Sequence, residues 1–77
     1  MINFEEYHGI LTDAEPEVFN KTFIEKQDHE GIIELGYTYE LINKKLDTNE
    51  IIKQLETGYK YYYDIQEDIF YDLEDLL

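Results

Sequence analysis

The spacing of hydrophobic residues along the chain is mostly that of amphipathic helices. In the middle of the chain the apolar residues recur at alternating steps of three and four, in the order Ile32, Leu35, Tyr39, Ile42 and Leu46. A similar spacing continues through the last third of the chain, from Ile52 to Leu76. Because residues at these intervals share one face of a helix, the pattern predicts helices whose apolar faces pack together.

Helix-terminus signals divide the first half of this pattern. Asn3 with Glu6 three residues later has the spacing of a capping box, which predicts a first helix over about residues 4–11. Pro16 fixes its own backbone in a first-turn conformation, which predicts that a second helix begins there. Gly31 is the predicted end of that second helix.

The second half carries a further capping pair. Asp47 with Glu50 predicts the start of a last helix over about residues 48–76, which Gly58 either kinks or divides in two. The sequence therefore predicts an all-α fold. We expect a single acidic helical domain over residues 1–77, built as a small bundle of three or four helices with a long C-terminal helix.

Two tyrosine-rich runs leave a β-strand alternative open. Residues 37–39 and 59–63 are rich in side chains that favour strands. Neither run lies beside an Asn-Gly or Asp-Gly pair, which are the strongest short hairpin signals. The helical spacing also continues through both runs, so we favour helix over strand there.

The charge of the chain changes the functional picture more than any motif. Nineteen acidic residues face six basic ones, which gives a net charge of −13 over 77 residues. The chain is nevertheless 43% hydrophobic and can therefore form a core. Like charges on a small folded surface repel one another and oppose compaction. The acidic surface therefore indicates a cationic partner, and we expect that partner to be a basic protein.

The same charge argues against several other functions. Nucleic acids and anionic membrane surfaces would repel this chain, so we expect it to bind neither directly. The acidic N-terminus lacks an apolar run, and apolar stretches such as Ile32-Ile33 are short. We therefore expect no secretory signal, no membrane-spanning segment and a cytoplasmic location.

Signals for catalysis or metal binding are weak. Glu5 and His8 form a Glu-x-x-His step, but a di-iron bundle needs a second copy and two further glutamates. The chain has no cysteine, no calcium-loop spacing and no glycine-rich phosphate loop. We therefore expect no enzyme activity, no metal site and no cofactor.

The strongest functional signal is the acidic C-terminal segment. Residues 64–77 hold six acidic residues and no basic one. On a helix, the acids would give one negative charge per about 3 Å, close to the roughly 3.4 Å interval of one DNA strand. Acids four residues apart destabilise a helix by about 0.2–0.5 kcal/mol per pair, so we expect the acidic row to be kept for binding. The predicted partner-binding residues are Tyr61, Asp64, Glu67, Asp68, Asp72 and Asp75.

In charge pattern and size the chain resembles the DNA-mimic proteins of phages and mobile elements. That class includes anti-restriction proteins, anti-CRISPR proteins and glycosylase inhibitors. The resemblance implies a small inhibitor that blocks the cationic nucleic-acid-binding site of a host defence or DNA-processing enzyme. If the gene belongs to a phage, such an inhibitor acts in the host cytoplasm. The resemblance rests on charge and size and assigns no residue roles.

Other interpretations of the same features remain open. The protein could be an immunity protein, an antitoxin or a regulatory adaptor that binds a basic partner protein. The heptad-spaced seam from Ile32 to Leu46 could also pair two copies into a homodimer. Finally, the acidic face could simply be a solvated helix surface.

Overall fold

A four-stranded antiparallel sheet forms the centre of the molecule in the computed structural model, which describes residues 6–77. The strands lie in the order β2-β1-β3-β4, so β1 and β3 are central and β2 and β4 are the two edges. Their bounds are β1 (Gly9–Thr12), β2 (Tyr39–Ile42), β3 (Tyr61–Asp64) and β4 (Ile69–Asp72).

Short helical segments connect the strands and cover both faces of the sheet. The first, α1, continues directly as a π-helix, and a 3-10 helix follows β4 near the C-terminus. Their bounds are α1 (Pro16–Phe19), the π-helix (Asn20–Glu25), α2 (His29–Glu34), α3 (Thr48–Thr57) and the C-terminal 3-10 helix (Leu73–Leu76).

Local signals place the ends of the longest helix correctly. The Asp47 carboxylate accepts a hydrogen bond from the Glu50 N–H at 2.9 Å, which is the predicted cap of α3. Gly58 follows the last residue of α3 with a φ of 117°, a left-handed conformation that glycine adopts without steric cost. Gly58 therefore ends the helix, and the long helix predicted over residues 48–76 stops at Thr57.

The predicted second helix begins where expected but ends elsewhere. Pro16 is the first residue of α1. Gly31, the predicted end, lies buried inside α2, and its N–H donates to the Asp28 carboxylate at 3.0 Å. A Cβ on Gly31 would lie 2.5 Å from that carboxylate. The glycine is therefore required for close approach to the cap of α2, and it does not terminate a helix.

The two faces of the sheet bury separate hydrophobic clusters, because side chains alternate between faces along each strand. The face covered by α1, the π-helix and α2 is called here the α1–α2 face, and the opposite one the α3 face. The core of the α1–α2 face consists of Ile10, Ala14, Phe19, Phe23, Ile32 and Tyr63. The core of the α3 face consists of Leu11, Ile42, Ile51, Tyr62 and Leu73.

Aromatic rings hold the α1–α2 face together. The fully buried Phe19 stacks on Phe23 at a centroid distance of 4.5 Å and meets Phe70 edge-on at 5.3 Å. Phe23 in turn meets Tyr39 edge-on at 4.9 Å. Because Phe70 and Tyr39 belong to the two edge strands, this cluster ties both edges of the sheet to one helical layer.

The predicted all-α bundle is therefore wrong, and the strand alternative is correct for part of each tyrosine-rich run. Residues 39–42 and 61–64 form β2 and β3, and residues 69–72 form β4 in place of a helix. Tyr62 and Tyr63 are both buried because helices cover both faces of the sheet. A strand buried on both faces shows consecutive apolar residues without the alternation that marks an exposed sheet.

Two further helical predictions, the first helix and the heptad-spaced seam, are also wrong within the described residues. Residues 9–11 of the predicted first helix lie in β1. The seam from Ile32 to Leu46 runs through α2, a turn and β2, so it is not one helix and cannot pair two copies as a coiled coil. Asn3 and Glu5, and with them the predicted first cap and the Glu-x-x-His step, lie outside the described residues.

Candidate functional site: the acidic hairpin edge

The hairpin of β3 and β4, with the 3-10 helix behind it, carries all six predicted partner-binding residues. They do not form a row on one helix face. Tyr61 and Asp64 begin and end β3, Glu67 and Asp68 lie in the turn, Asp72 ends β4, and Asp75 lies in the 3-10 helix. The predicted continuous row of charge is therefore wrong. The acids instead gather at the two ends of the edge strand β4.

Asp64 builds the hairpin turn. Its carboxylate accepts hydrogen bonds from the N–H groups of Gln66 at 3.0 Å and Glu67 at 3.2 Å. The Asp68 N–H donates to the Asp64 carbonyl at 2.9 Å, and Asp68 has a φ of 57°. Aspartate tolerates this left-handed conformation better than most residues and also bonds to nearby backbone. The turn is thus made by two aspartates, without glycine.

Asp68 is also bonded to the core. The buried Tyr63 hydroxyl donates to the Asp68 carboxylate across the hairpin. Burial raises the pKa of Tyr63 to about 12, and the hydrogen bond to Asp68 and its negative charge add to the rise. Asp68 therefore supports the fold, even though its own side chain is at the surface.

Asp72 has a local structural function as well. Its carboxylate accepts from the Glu74 N–H at 3.0 Å and caps the 3-10 helix. Asp72 also lies directly opposite Tyr61 in the β3–β4 register. Tyr61 is half-buried there. The Tyr61–Asp72 pair is the one association of predicted site residues across neighbouring strands.

Three other carboxylates in this region have no such function. Glu67, Glu74 and Asp75 are exposed, and their side chains make no hydrogen bond or ion pair with any part of residues 6–77. We call these three residues the open carboxylates. Glu74 was not among the predicted site residues, although its position in the acidic segment marks it as a candidate.

The acidic charge of this region is not neutralised within the described chain. One ion pair occurs among residues 6–77, between Lys44 and Glu50 at 3.2 Å, and it lies at the start of α3. Residues 61–77 contain no basic residue. We call β4, the turn at residues 65–68 and the C-terminal 3-10 helix together the acidic hairpin edge. Its charge is available to an external cation.

A groove on the α3 face borders this edge. It has a volume of about 280 Å³, with Leu46, Ile51 and Leu76 among its apolar lining residues and Asp64 and Tyr71 on the hairpin side. Sequence reasoning missed it because it joins residues far apart in the chain.

Inside the groove, His8 and Tyr62 are hydrogen-bonded, with 3.0 Å between the His8 Nδ1 and the Tyr62 hydroxyl. Burial raises the pKa of Tyr62 to about 12, and the nearby Asp64 and Tyr71 add smaller contributions. The Tyr62 ring lies so close to Gly9 that a Cβ there would be 2.3 Å from the ring. Gly9 is the local sequence feature that permits this close approach of the Tyr62 ring.

Other chemistry finds little support in the described residues. No three His, Asp or Glu side chains within residues 6–77 come together as metal ligands. No helix within that range is long and apolar enough to cross a membrane. Comparisons with protein-family models, with curated proteins and with solved structures found no match for this chain. Function is therefore inferred from the charge and geometry of the chain itself.

Proposed function

We propose that this protein is a small acidic inhibitor that binds the cationic nucleic-acid-binding site of another protein through its acidic hairpin edge. The observation that carries the proposal is the concentration of unneutralised charge. Residues 64–77 hold six acids and no base, and the one ion pair among residues 6–77 lies elsewhere. Such a surface attracts a cationic partner and steers its approach over long range.

The arrangement of the acids supports a partner that normally holds phosphates. Asp68 and Asp72 are four residue steps apart along extended chain, or about 13 Å. That distance spans about four nucleotide steps of one DNA strand. The acids therefore present two groups of negative charge, one at each end of β4, in place of the continuous row predicted from the sequence. Tyr71, which is half-buried, lies between them on β4 and adds contact area, and the half-buried Tyr61 lies opposite Asp72 at one end.

A purely structural explanation accounts for part of this charge. Acids on an edge strand oppose pairing with the edge of another molecule. Asp64, Asp68 and Asp72 also make the turn and cap hydrogen bonds described above. Neither explanation covers the open carboxylates, which lie outside β4 and hold no partner within residues 6–77. Substitutions of these three residues can therefore distinguish the proposed binding function from a purely structural role.

A capture experiment tests the proposal. The full chain is immobilised and exposed to host-cell lysate at about 0.1 M and about 1 M salt, between which the screening length falls from about 10 Å to about 3 Å. We expect a nucleic-acid-binding protein to be captured at low salt, lost at high salt, and released at low salt by duplex DNA. We also expect Glu67→Gln with Glu74→Gln and Asp75→Asn to abolish its capture.

The control carries the same change of charge on another surface. Glu17→Gln with Glu30→Gln and Glu34→Gln also removes three exposed carboxylates, from α1 and α2. This variant should capture the same protein as the unmodified chain. Equal loss of capture in both variants would show that the interaction depends on net charge alone. Capture that duplex DNA does not release would contradict the proposal. A captured basic protein that does not bind nucleic acid would favour the immunity-protein or adaptor alternative.

A further inference from the structure

The outer edge of β4 has backbone groups directed away from the sheet. The Leu73 N–H donates to the Lys60 carbonyl at 2.9 Å, which extends the β3–β4 register by one pair beyond Asp72. Backbone groups in an antiparallel strand alternate between its two sides. Counting back from Leu73, the Phe70 N–H and C=O and the Asp72 N–H are directed outward. These three groups match the spacing that an added strand would require.

The side chains next to this edge form a surface suited to alternate residues of an extended peptide. Ile69 and Tyr71 both lie on the α3 face, about 7 Å apart along the strand. Ile69 is 43% exposed, and Tyr71 lines the groove. A strand added beside β4 would place every second side chain against Ile69 and the mouth of the groove. Backbone pairing plus pockets for alternate side chains is the usual basis of peptide recognition at a sheet edge.

Charge distinguishes this edge from the opposite one. β4 is flanked by Asp68 and the open carboxylates, with Asp72 at its end. The other edge strand, β2, has Glu40 as its one charged residue and is followed by Lys44 and Lys45, of which Lys45 also lines the groove. Charge complementarity therefore directs a basic segment to β4. A second copy of this chain would bring like charges together at the same edge, which disfavours self-pairing.

We propose that β4 accepts an extended lysine- or arginine-rich segment of the cationic partner as a fifth strand of the sheet. The inference rests on the proposed function, since it describes how the partner is held. It adds that recognition depends on backbone hydrogen bonds and on Ile69, and not on charge alone.

A synthetic peptide tests this directly. The probe is a capped heptapeptide of alternating Lys and Val, titrated into the full ¹⁵N-labelled chain at about 0.1 M salt. We expect the amides of Phe70 and Asp72 to shift and to gain protection from hydrogen exchange. A second peptide of the same sequence carries N-methyl groups on its three central residues and has lost those donors at unchanged charge. It should bind about tenfold more weakly or worse, because backbone hydrogen bonds are lost.

A matched pair of variants tests the side-chain contribution. Ile69 and Ile52 are both 43% exposed, but Ile52 lies on α3. Ile69→Thr should weaken the heptapeptide about threefold or more, and Ile52→Thr should leave its affinity within about twofold.

Two results would overturn the fifth-strand proposal. The first is that both peptides bind with equal affinity and lose that affinity equally in high salt. This result would show binding by charge alone and would leave the cationic-partner proposal intact. The second is the absence of heptapeptide binding at the Phe70 and Asp72 amides. Failure of the proposed function would be seen separately, in the lysate experiment, as capture of a protein that duplex DNA does not release.

Discussion

The central strand β1 and the edge strand β4 belong to one sheet but differ in nearly every respect. All four residues of β1 are buried and none is charged. β4 ends in an aspartate, exposes 43% of Ile69, and has the open carboxylates on either side. The difference indicates that stability is concentrated at the centre of the sheet, while the proposed binding surface lies at one edge. Substitutions in the two regions should therefore have separable effects.

The largest expected effect is at the core that covers β1. Phe19→Ala removes a fully buried ring that stacks on Phe23, and it should cost about 3–5 kcal/mol of unfolding free energy. Since native proteins are stable by only about 5–15 kcal/mol, this loss should be a large fraction of the total. Urea denaturation followed by circular dichroism measures the loss. Ile33→Ala, at a residue 57% exposed, should change stability by less than about 0.5 kcal/mol.

Equal losses in those two variants would contradict the assignment of Phe19 to the core.

Alkaline pH should weaken β3, which joins β1 to β4. Burial raises the pKa values of Tyr62 and Tyr63 to about 12, above the ordinary value of 10.0. The folded state therefore holds these protons more tightly than the unfolded state, so its stability should be full below pH 10 and fall between pH 10 and pH 12. Urea denaturation at a series of pH values measures the decline.

Tyr62→Phe keeps the ring and removes one of the two ionisable groups. The decline should be shallower in this variant than in the unmodified chain. Stability that stays constant up to pH 12 would contradict burial of the two hydroxyls, and an identical decline in the variant would contradict burial of the Tyr62 hydroxyl.

A smaller effect is expected where β1 contacts the Tyr62 ring. Gly9→Ala would place a Cβ 2.3 Å from that ring, so the ring must move and its hydrogen bond to His8 should break. We expect a loss of about 1–3 kcal/mol. Combining Gly9→Ala with Tyr62→Leu should cost less than the sum of the two single changes, because the clash is shared. Strict additivity in that double-mutant cycle would contradict the contact.

Local sequence signals predicted only part of this fold. The start of α1 at Pro16 and the Asp47–Glu50 cap of α3 follow from neighbouring residues, and both are confirmed. The strands were missed because Tyr62 and Tyr63 face opposite covered sides, so their run does not alternate. The hairpin lacks a glycine turn, since Asp64 and Asp68 supply the bonds and the left-handed conformation instead.

The candidate site was predictable in composition but not in shape. The excess of acids in residues 64–77 is a property of the sequence, and it stands whatever the fold. The predicted row required a helix and disappears in the hairpin. The groove could not have been found, because its His8–Tyr62 bond joins residues 54 positions apart. Long-range pairing of this kind leaves no periodic trace in the chain.

The smallest effect on stability is expected at the acidic hairpin edge, and there the consequence should be functional. Neutralising the open carboxylates with Glu67→Gln, Glu74→Gln and Asp75→Asn removes no hydrogen bond or ion pair within residues 6–77. It also relieves self-repulsion. The unfolding free energy should therefore stay within about 0.5 kcal/mol or rise slightly.

The most direct test measures this triple variant's stability and its capture of the DNA-releasable partner in the same preparation. The account predicts an intact fold with capture lost, while the matched variant in α1 and α2 keeps both. An intact fold with undiminished capture would contradict it, because the open carboxylates would then be ordinary surface charge.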